Sequence, residues 1–363
     1  MADDIELKEE DILVKSEKEQ EMEEFFDMFR IVTPGTKLRA AVDDIARAGL
    51  GALIVIGDSP EILKMANGGF KIDHKFTQQR LLELCKMDGA IIMSDDMQKI
   101  LYCNTLLTPD PSIETSETGT RHMAAERTAK QTMRPIIAVS ERRKTITLYY
   151  KNIRYILKTS EELLSKATET LRMLEKHKEI LDRLLIDLNI LEFTSLVSLQ
   201  DVISCIQRME LIERITETMQ RYIVELGSEG KLIKILLKEI TKGLGREKAL
   251  LLRDYSRNWE FTKTAIPTLT FDDIIEPANI MRMLLYSTLS DSVMPYGYRI
   301  LAKTSLGNDA VESLISHFKN MSELVSALEK PESISDVIGE KDTKKLLREF
   351  NSLKEQSLVG KKI

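Results

Sequence analysis

Short apolar runs separated by polar segments dominate the chain up to about residue 158. Runs of this kind, rich in β-branched residues, are typical of buried strands. They predict strands at residues 52–56, 90–93, 100–102, 136–139 and 145–150. The amphipathic segments between them predict helices at residues 37–48, 77–86 and 122–131. This alternation predicts an α/β N-terminal domain over residues 25–158, with a mixed sheet flanked by helices.

After residue 158 the apolar positions recur at steps of three and four residues, with Lys and Glu on the other faces. The stripe that begins with Leu163, Ala167, Leu171 and Leu174 is typical of amphipathic helices. It predicts an all-α helical spine over residues 159–294, in which the leucines pack between helices.

Residues 295–363 begin with turn residues and continue as short helical segments. The predicted helices lie at residues 308–318, 321–327, 333–337 and 342–352. At the other end, residues 1–24 are charge-rich and poor in bulky apolar positions, so we expect a frayed or marginally helical arm.

The composition excludes several classes of protein. With 43% hydrophobic and 30% charged residues, the 363-residue chain can bury sizeable cores and is not of the disordered class. The net charge of -6 argues against a protein whose whole surface binds nucleic acid, although a local basic patch is compatible with this charge.

Three widely spaced cysteines predict buried free thiols in a reducing compartment. The acidic N-terminus and the short apolar runs predict a soluble, cytoplasmic protein without a membrane segment.

Three segments carry candidate chemistry, and the first is Lys86-Met87-Asp88-Gly89-Ala90. It places a carboxylate at the start of a predicted buried strand, beside a glycine that allows close approach of a ligand. A carboxylate in this position can bind a divalent metal or accept a proton from a hydroxyl group. Asp-Gly by itself is most often only a turn.

The second segment, Glu117-Thr118-Gly119-Thr120-Arg121-His122-Met123-Ala124-Ala125-Glu126-Arg127, contains the loop Thr118-Gly119-Thr120, which runs into a predicted helix. Helix N-termini bind phosphate through free N–H groups and the helix dipole. The hydroxyl of Thr120, the guanidinium of Arg121 and the imidazole of His122 add donors that suit a polyphosphate.

The third segment, Ser140-Glu141-Arg142-Arg143, follows a predicted buried strand. It brings a hydroxyl, a carboxylate and two guanidinium groups together on one turn. The alternative interpretation is a solvated hairpin without function.

Taken together, in this order, the segments resemble the diadenylate cyclase family, whose Asp-Gly-Ala signature occurs here as Asp88-Gly89-Ala90. The Arg-His-Arg motif of the family occurs as Arg121-His122-Met123. Further matching segments are Pro34–Arg39, Gly68-Gly69-Phe70 and Ala129–Thr132. The helical middle and the segment around Gly297–Leu301 are similar to family members that carry a DNA-sensing tail.

The resemblance implies a metal-dependent condensation of two ATP into cyclic di-AMP and two pyrophosphates, across two facing domains of different subunits. It implies a catalytic role for Asp88, Gly89, Arg121 and His122. The expected ATP-binding residues are Asp88, Gly89, Ala90, Thr120, Arg121, His122, Ser140, Arg142 and Arg143. Asp88 and Glu141 are the expected ligands of Mg²⁺ or Mn²⁺. The family also implies a homo-octamer and binding of branched or junction DNA.

The sequence departs from the family motif at Met123, where the family has an arginine, and at Ala124, where threonine is common. Loss of an arginine at a polyphosphate site removes a charge and paired donors, so we expect weaker ATP binding or lower turnover. The alternative hypothesis is therefore an inactive or weakened relative that acts as a DNA-binding scaffold.

The C-terminal segment resembles a helix-hairpin-helix domain, in which a Gly-hydrophobic-Gly turn presents N–H groups to DNA phosphate. The turn here is Val337-Ile338-Gly339, so the first glycine is missing. The candidate DNA-binding residues are Gly339, Lys341, Lys344 and Lys345. Acidic neighbours dilute this basic patch, and a small helical module without strong DNA affinity is the alternative.

Overall fold

A computed structural model describes residues 28–289, 291 and 293–360. The predicted arm of residues 1–24 lies outside the described residues. Among the described residues, those up to Ala167 form one compact unit together with Arg221–Leu232. A second unit contains Thr168–Gln220 and the residues from Ile233 onwards.

The first unit contains the mixed sheet that the sequence predicts. Its strands are β1 (Ala52–Ile56), β2 (Ala66–Asn67), β3 (Phe70–Lys75), β4 (Ala90–Met93), β5 (Lys99–Leu107), β6 (Ile136–Val139), β7 (Ile146–Tyr150) and β8 (Ile153–Leu157). The order is β2-β5-β4-β1-β6-β7-β8, and β3 also pairs with β5. In this order β1 and β4 are parallel, and the other pairs are antiparallel.

The described residues in the α/β part of the first unit include four α-helices. They are α1 (Lys37–Arg47), α2 (Pro60–Met65), α3 (Gln78–Leu84) and α4 (Thr120–Thr132), and a short 3₁₀ helix at Arg30–Val32 precedes them. Thr36 caps α1 and Thr77 caps α3, since each hydroxyl accepts the N–H of the residue three positions later.

Successive side chains of the central strands point to opposite faces of the sheet, and they form one apolar core on each face. On one face, Ile54 and Ile56 pack in a cluster that includes α1 and α3 residues. On the other, Leu53 and Val55 share a cluster with Ala125 and Ala129 of α4. Strands that are apolar on both faces need a helix layer on each side, and the sheet has both.

The described residues after β8 are mostly helical, as the three- and four-residue periodicity predicts. The helices are α5 (Ser160–Thr194), α6 (Leu199–Leu226), α7 (Lys231–Ile240), α8 (Leu244–Tyr255), α9 (Trp259–Ala265), α10 (Phe271–Ile275), α11 (Pro277–Met283), α12 (Tyr298–Leu301), α13 (Asn308–Phe318), α14 (Met321–Leu328) and α15 (Pro331–Leu358). Short 3₁₀ helices lie at Gly227–Gly230 and Ile266–Thr268. Within the described residues, no helix is both long and apolar enough to cross a membrane.

The last helices form a small apolar core of their own within the second unit. It contains Leu314, Met321, Ile334 and Leu346 among its buried residues. The helix α15 is broken at Gly339, whose φ of 80° and ψ of 159° are not helical. The α/β domain and the helical region that follows it are thus as predicted, and the two short helices expected at 333–337 and 342–352 are the two arms on either side of this break.

A buried arginine organises the interior of the second unit. The Arg299 side chain has no exposed surface; it donates from Nε to Glu192 at 3.1 Å and from Nη1 to Glu247 at 2.8 Å. Nearby, the fully buried carboxylate of Asp254 caps α12 by accepting the N–H groups of Gly297, Tyr298 and Arg299 at 2.7–2.8 Å. Burial raises the pKa of Asp254 to about 7.

Removing the Arg299 charge should destabilise the second unit. In Arg299→Met the buried carboxylate of Glu192 loses its cationic partner and keeps only the hydroxyl of Tyr255, which costs about 3–5 kcal/mol. Urea denaturation followed by circular dichroism measures the change in the unfolding free energy. Arg183→Met is the control, because Arg183 is 72% exposed and its ion pair with Glu179 is long, at 3.8 Å. Equal stability of the two variants would show that the buried pair has no such role.

Candidate nucleotide site

Two of the three candidate segments meet at one end of the central sheet. The register pairs Leu53 of β1 with Ala90 of β4, and Ala52 of β1 with Val139 of β6. Asp88 lies two residues before the paired residue of β4, and Ser140 directly follows the paired residue of β6. Because β1 and β4 are parallel whereas β6 runs the other way, the start of β4 and the end of β6 lie at the same end of the sheet, beside the start of β1.

The Asp88-Gly89 turn depends on glycine at its second position. Gly89 has a φ of 95°, a value that residues with a Cβ rarely adopt. A Cβ there would lie 2.8 Å from the carbonyl carbon of Asn104 and 2.9 Å from the oxygen of Thr105. The backbone of β5 therefore closes in on Gly89, while Asp88 is exposed at the edge and Ala90 is buried in β4.

Arg121 of α4 lies against the start of β1. A Cβ at Gly51 would be 2.1 Å from Nη1 of Arg121, so the guanidinium packs over the bare glycine. Burial raises the pKa of the Cys85 thiol to about 12, and the positive charge of Arg121 opposes this rise. Arg121 thus lies over Gly51 at the start of β1, near enough to Cys85 for its charge to act on that thiol.

The N-terminus of α4 is open to an anion. Its N-cap is Gly119, which has no side chain to accept a hydrogen bond from the first turn. The first backbone bond of the helix runs from the N–H of Met123 to the oxygen of Gly119 at 2.8 Å. The N–H groups of Thr120, Arg121 and His122 precede this bond and lie at the positive end of a 13-residue helix.

A cavity of about 570 Å³ lies beside this helix N-terminus. Its lining residues are Glu117, Thr118, Gly119, His122, Ser140, Arg142, Arg143, Thr145, Thr147, Arg154 and Ile156. The cavity brings the second and third candidate segments together. Of the predicted ATP-binding residues, His122, Ser140, Arg142 and Arg143 line it, whereas Asp88, Gly89, Ala90, Thr120 and Arg121 do not.

The third segment is a tight connection between β6 and β7. The N–H of Ser140 donates to the oxygen of Thr145 at 2.9 Å, and the N–H of Lys144 donates to the oxygen of Ser140 at 2.8 Å. The hydroxyl of Ser140 accepts the N–H of Arg143 at 3.2 Å, which fixes the turn that carries the two arginines. Glu141 is exposed on this turn and is not among the residues that line the cavity.

Sequence reasoning missed three side chains of this site. Glu117 Oε1 accepts a hydrogen bond from the hydroxyl of Tyr149 at 2.6 Å and from Nε of Arg154 at 2.5 Å. Burial disfavours the carboxylate form of Glu117, but these two donors hold its pKa below the ordinary value. No sequence signal marks Arg154 as a site residue, because its place there follows from the pairing of β8 with β7.

Side chains of α4 hold the loop that precedes the helix. Glu126, which is buried, accepts the hydroxyl of Thr115 at 2.6 Å and the N–H of Ser116 at 3.1 Å. The Nε of Arg127 donates to the oxygen of Ile113 at 2.8 Å. The helix therefore positions the loop that brings Glu117 and Gly119 to the cavity.

The ring of His122 is held in its neutral form. Its partial burial is the main cause of a pKa below the ordinary value, and the charges of Arg121, Arg143 and Arg154 lower it further. Glu117 acts in the opposite direction and does not compensate. At neutral pH the imidazole can therefore donate one hydrogen bond without adding a full charge.

The two expected metal ligands, Asp88 and Glu141, are both exposed. No group of three or more His, Cys, Asp or Glu residues within the described part of the chain could hold a metal ion. Exposed carboxylates supply the oxygen ligands that hard divalent cations prefer, and such cations also take phosphate and water ligands.

The candidate DNA-binding residues lie at the break in α15. Gly339 is exposed, and a Cβ on it would meet nothing within 4 Å. Lys341 is exposed, and Lys344 pairs weakly with Glu340 at 3.8 Å. Lys345 Nζ donates to the backbone oxygen of Ser305 at 2.8 Å, which brings the segment before α13 close to the break.

Comparison with known proteins places two family models on the chain. The model described as the DisA bacterial checkpoint controller nucleotide-binding region matches residues 39–153. The model described as the DisA bacterial checkpoint controller linker region matches residues 157–293.

Curated relatives match almost the full length of the chain. The DNA integrity scanning protein DisA of Clostridium tetani is 40% identical over 97% of this chain and 99% of its own. The protein of that name from Clostridium kluyveri is 38% identical over 96% of this chain and 100% of its own. Among solved structures, DacA from Staphylococcus aureus shares 25% identity over 36% of this chain and 91% of its own, with a TM-score of 0.30, too low to carry a structural argument.

The low pKa of His122 predicts a specific loss of stability in acid. Because the folded pKa lies below that of the unfolded chain, the unfolded state binds the proton first, and stability falls as the pH drops below about 6.5. His122→Gln should remove this part of the pH dependence. Thermal melts of both proteins between pH 7.5 and 5.5 measure it, and identical pH profiles would contradict the assignment.

Proposed function

The chain belongs to the DisA family of diadenylate cyclases, which are nucleotidyltransferases, and we propose that its N-terminal domain condenses two ATP into cyclic di-AMP and two pyrophosphates. The observation that carries the proposal is the cation-lined cavity beside the open N-terminus of α4, at the sheet end where Asp88 and Ser140 also lie. We assign residues 25–158 to catalysis, 159–294 to the helical spine and 295–363 to DNA sensing.

The cavity is suited to the triphosphate. Arg142, Arg143 and Arg154 line it with a single carboxylate, Glu117, so the cavity carries an excess of positive charge. Phosphoryl transfer depends mainly on positioning and on neutralising the charge of the phosphates. In this assignment His122 and the α4 N-terminus bind the inner phosphates, and Ser140 with the turn arginines binds the outer ones.

Asp88 acts at the ribose of the nucleotide, away from the outer phosphates. The 3′-hydroxyl of one ATP attacks the α-phosphorus of the other, so a new O–P bond forms as the bond to pyrophosphate breaks. The hydroxyl proton must leave, and Asp88 is an exposed carboxylate at this end of the sheet that can accept it. Arg121, which lies over Gly51 at the start of β1, neutralises charge on the α-phosphate.

The cyclic product requires two such sites. Each ATP supplies both a nucleophile and a leaving group, so two domains that face each other complete the reaction symmetrically. We propose a face-to-face pair of N-terminal domains within a homo-octamer, which the family resemblance implies.

Family members use a divalent metal ion, and we propose Mg²⁺ or Mn²⁺ here. Asp88 and Glu141 would hold it together with phosphate oxygens. When bound, such an ion neutralises phosphate charge and lowers the pKa of the attacking hydroxyl.

The C-terminal part links the enzyme to DNA. The break at Gly339 leaves backbone and lysine side chains exposed, which suits contact with DNA phosphates. We propose that Gly339, Lys341, Lys344 and Lys345 contact branched or junction DNA. Lys345 is the least suited of these, since it also holds the backbone of Ser305.

A second candidate function is a DNA-binding scaffold with a weakened or inactive catalytic domain. Met123 in place of the family arginine is the observation in its favour. Met123 follows His122 on α4 and is not among the residues that line the cavity, which retains three arginines.

Incubation of the purified protein with ATP and Mg²⁺ or Mn²⁺ separates the two functions. We expect cyclic di-AMP, detected by chromatography and mass spectrometry, and a loss of at least about 100-fold in Asp88→Asn. Asp58→Asn is the matched control, because Asp58 is exposed and lies beyond the opposite end of β1. Wild-type protein that makes no product but still binds junction DNA would support the scaffold.

Restoring the family arginine should raise activity. In Met123→Arg a guanidinium is placed one residue beyond His122, where it can reach phosphates at the cavity rim or in the facing domain. We expect kcat/KM for ATP to rise about tenfold, the effect of one added hydrogen bond to a charged group. Met133→Arg is the control, since Met133 is 53% exposed at the far end of α4. An unchanged kcat/KM in Met123→Arg would show that Met123 is neutral.

A further inference from the structure

One cation of the cavity belongs to none of the three candidate segments. Arg154 lies on β8 directly opposite Tyr149 of β7, and Ile156 lies opposite Thr147. Residues opposite each other in a sheet share a face, and Tyr149 packs in the apolar cluster that contains the buried residues of α4. Arg154 therefore projects on the face of the sheet that carries the nucleotide cavity, which it lines.

The guanidinium is held in a fixed orientation. Its Nε donates to Glu117 Oε1 at 2.5 Å, and the hydroxyl of Tyr149 donates to the same oxygen at 2.6 Å. The Glu117 side chain is 10% exposed, whereas Arg154 is 40% exposed. The carboxylate is thus the buried anchor, and the arginine is the partner that reaches open space.

The contact with Glu117 uses one of the five N–H donors of an arginine. The terminal nitrogens provide the planar pair of donors that matches phosphate oxygens. The charge also acts within the cavity, because Arg154 is one of the groups that lower the pKa of His122. A residue that served only to neutralise Glu117 would not need to line the cavity.

We propose that Arg154 binds the outer phosphates of the nucleotide, and that Glu117 and Tyr149 hold it in place. This inference rests on the proposed function, since it assigns a further substrate contact at the same site. It also adds a cationic contact at a site where the family motif has lost its second arginine to Met123.

The test compares ligands that differ only in phosphate number. Isothermal titration calorimetry with adenosine monophosphate, ADP and ATP is carried out on wild-type protein and on Arg154→Gln. A contact to outer phosphates predicts that Arg154→Gln weakens ATP binding about 10- to 100-fold, as expected for a charged hydrogen bond. Binding of the monophosphate should change less than about twofold. Arg47→Gln is the charge-matched control, because Arg47 is 76% exposed on α1.

An equal loss for the monophosphate and ATP, or no loss for either, would overturn the inference. If Arg154→Gln does not keep the wild-type melting transition, Arg154→Lys provides the test, because lysine keeps the charge but not the planar pair of donors. It should then weaken ATP binding several-fold and leave the monophosphate unchanged; equal effects on both ligands would again overturn the inference. Wild-type protein that binds no ATP would instead refute the proposed function.

Discussion

The parallel pairing of β1 with β4, beside the antiparallel β6, is the constraint on which the site depends. It brings the start of β4 and the end of β6 to the same end of a sheet whose central strands are buried on both faces. Asp88 precedes β4 and Ser140 follows β6, so their positions are fixed by strand pairing rather than by flexible loops. The helix α4 packs on one face through Ala125 and Ala129, and its N-terminus opens at the cavity. A site of this precision requires rigid elements on every side.

Local charge, and not the charge of the chain, determines what this site can bind. The whole chain carries a net charge of -6, which by itself argues against anionic partners. The cavity nevertheless has three arginines and one carboxylate, and that carboxylate is already occupied by Tyr149 and Arg154. Partial burial and then the charges of Arg121, Arg143 and Arg154 lower the pKa of His122, so the ring favours its neutral form. A polyphosphate would relieve the repulsion among these arginines, which gives the site a preference for anions.

Much of the fold could be predicted, because apolar runs and helical periodicity report burial directly. The strands at 52–56, 90–93 and 136–139 were predicted at their observed bounds, since each is buried on both faces. The strand β3 was missed because nearly all of its residues are exposed and it lacks an apolar pattern. The strand β8 was missed because its alternation is short and contains Arg154.

Only those residues of the candidate site that belong to sequence motifs could be predicted. His122, Ser140, Arg142 and Arg143 stand in recognisable segments, and the structure brings them to one cavity. Arg154 was not predictable, because its role depends on the register between β7 and β8, which brings it near a loop 37 residues earlier. The domain boundaries and the oligomer remain predictions, as does the DNA contact at Gly339.

The most direct measurement is a crystal structure of the protein with a non-hydrolysable ATP analogue and Mg²⁺. The account predicts that the triphosphate occupies the cavity between the α4 N-terminus and the Ser140–Arg143 turn, with the ribose extending toward Asp88. A nucleotide bound elsewhere, or one whose phosphates avoid this cavity, would contradict it.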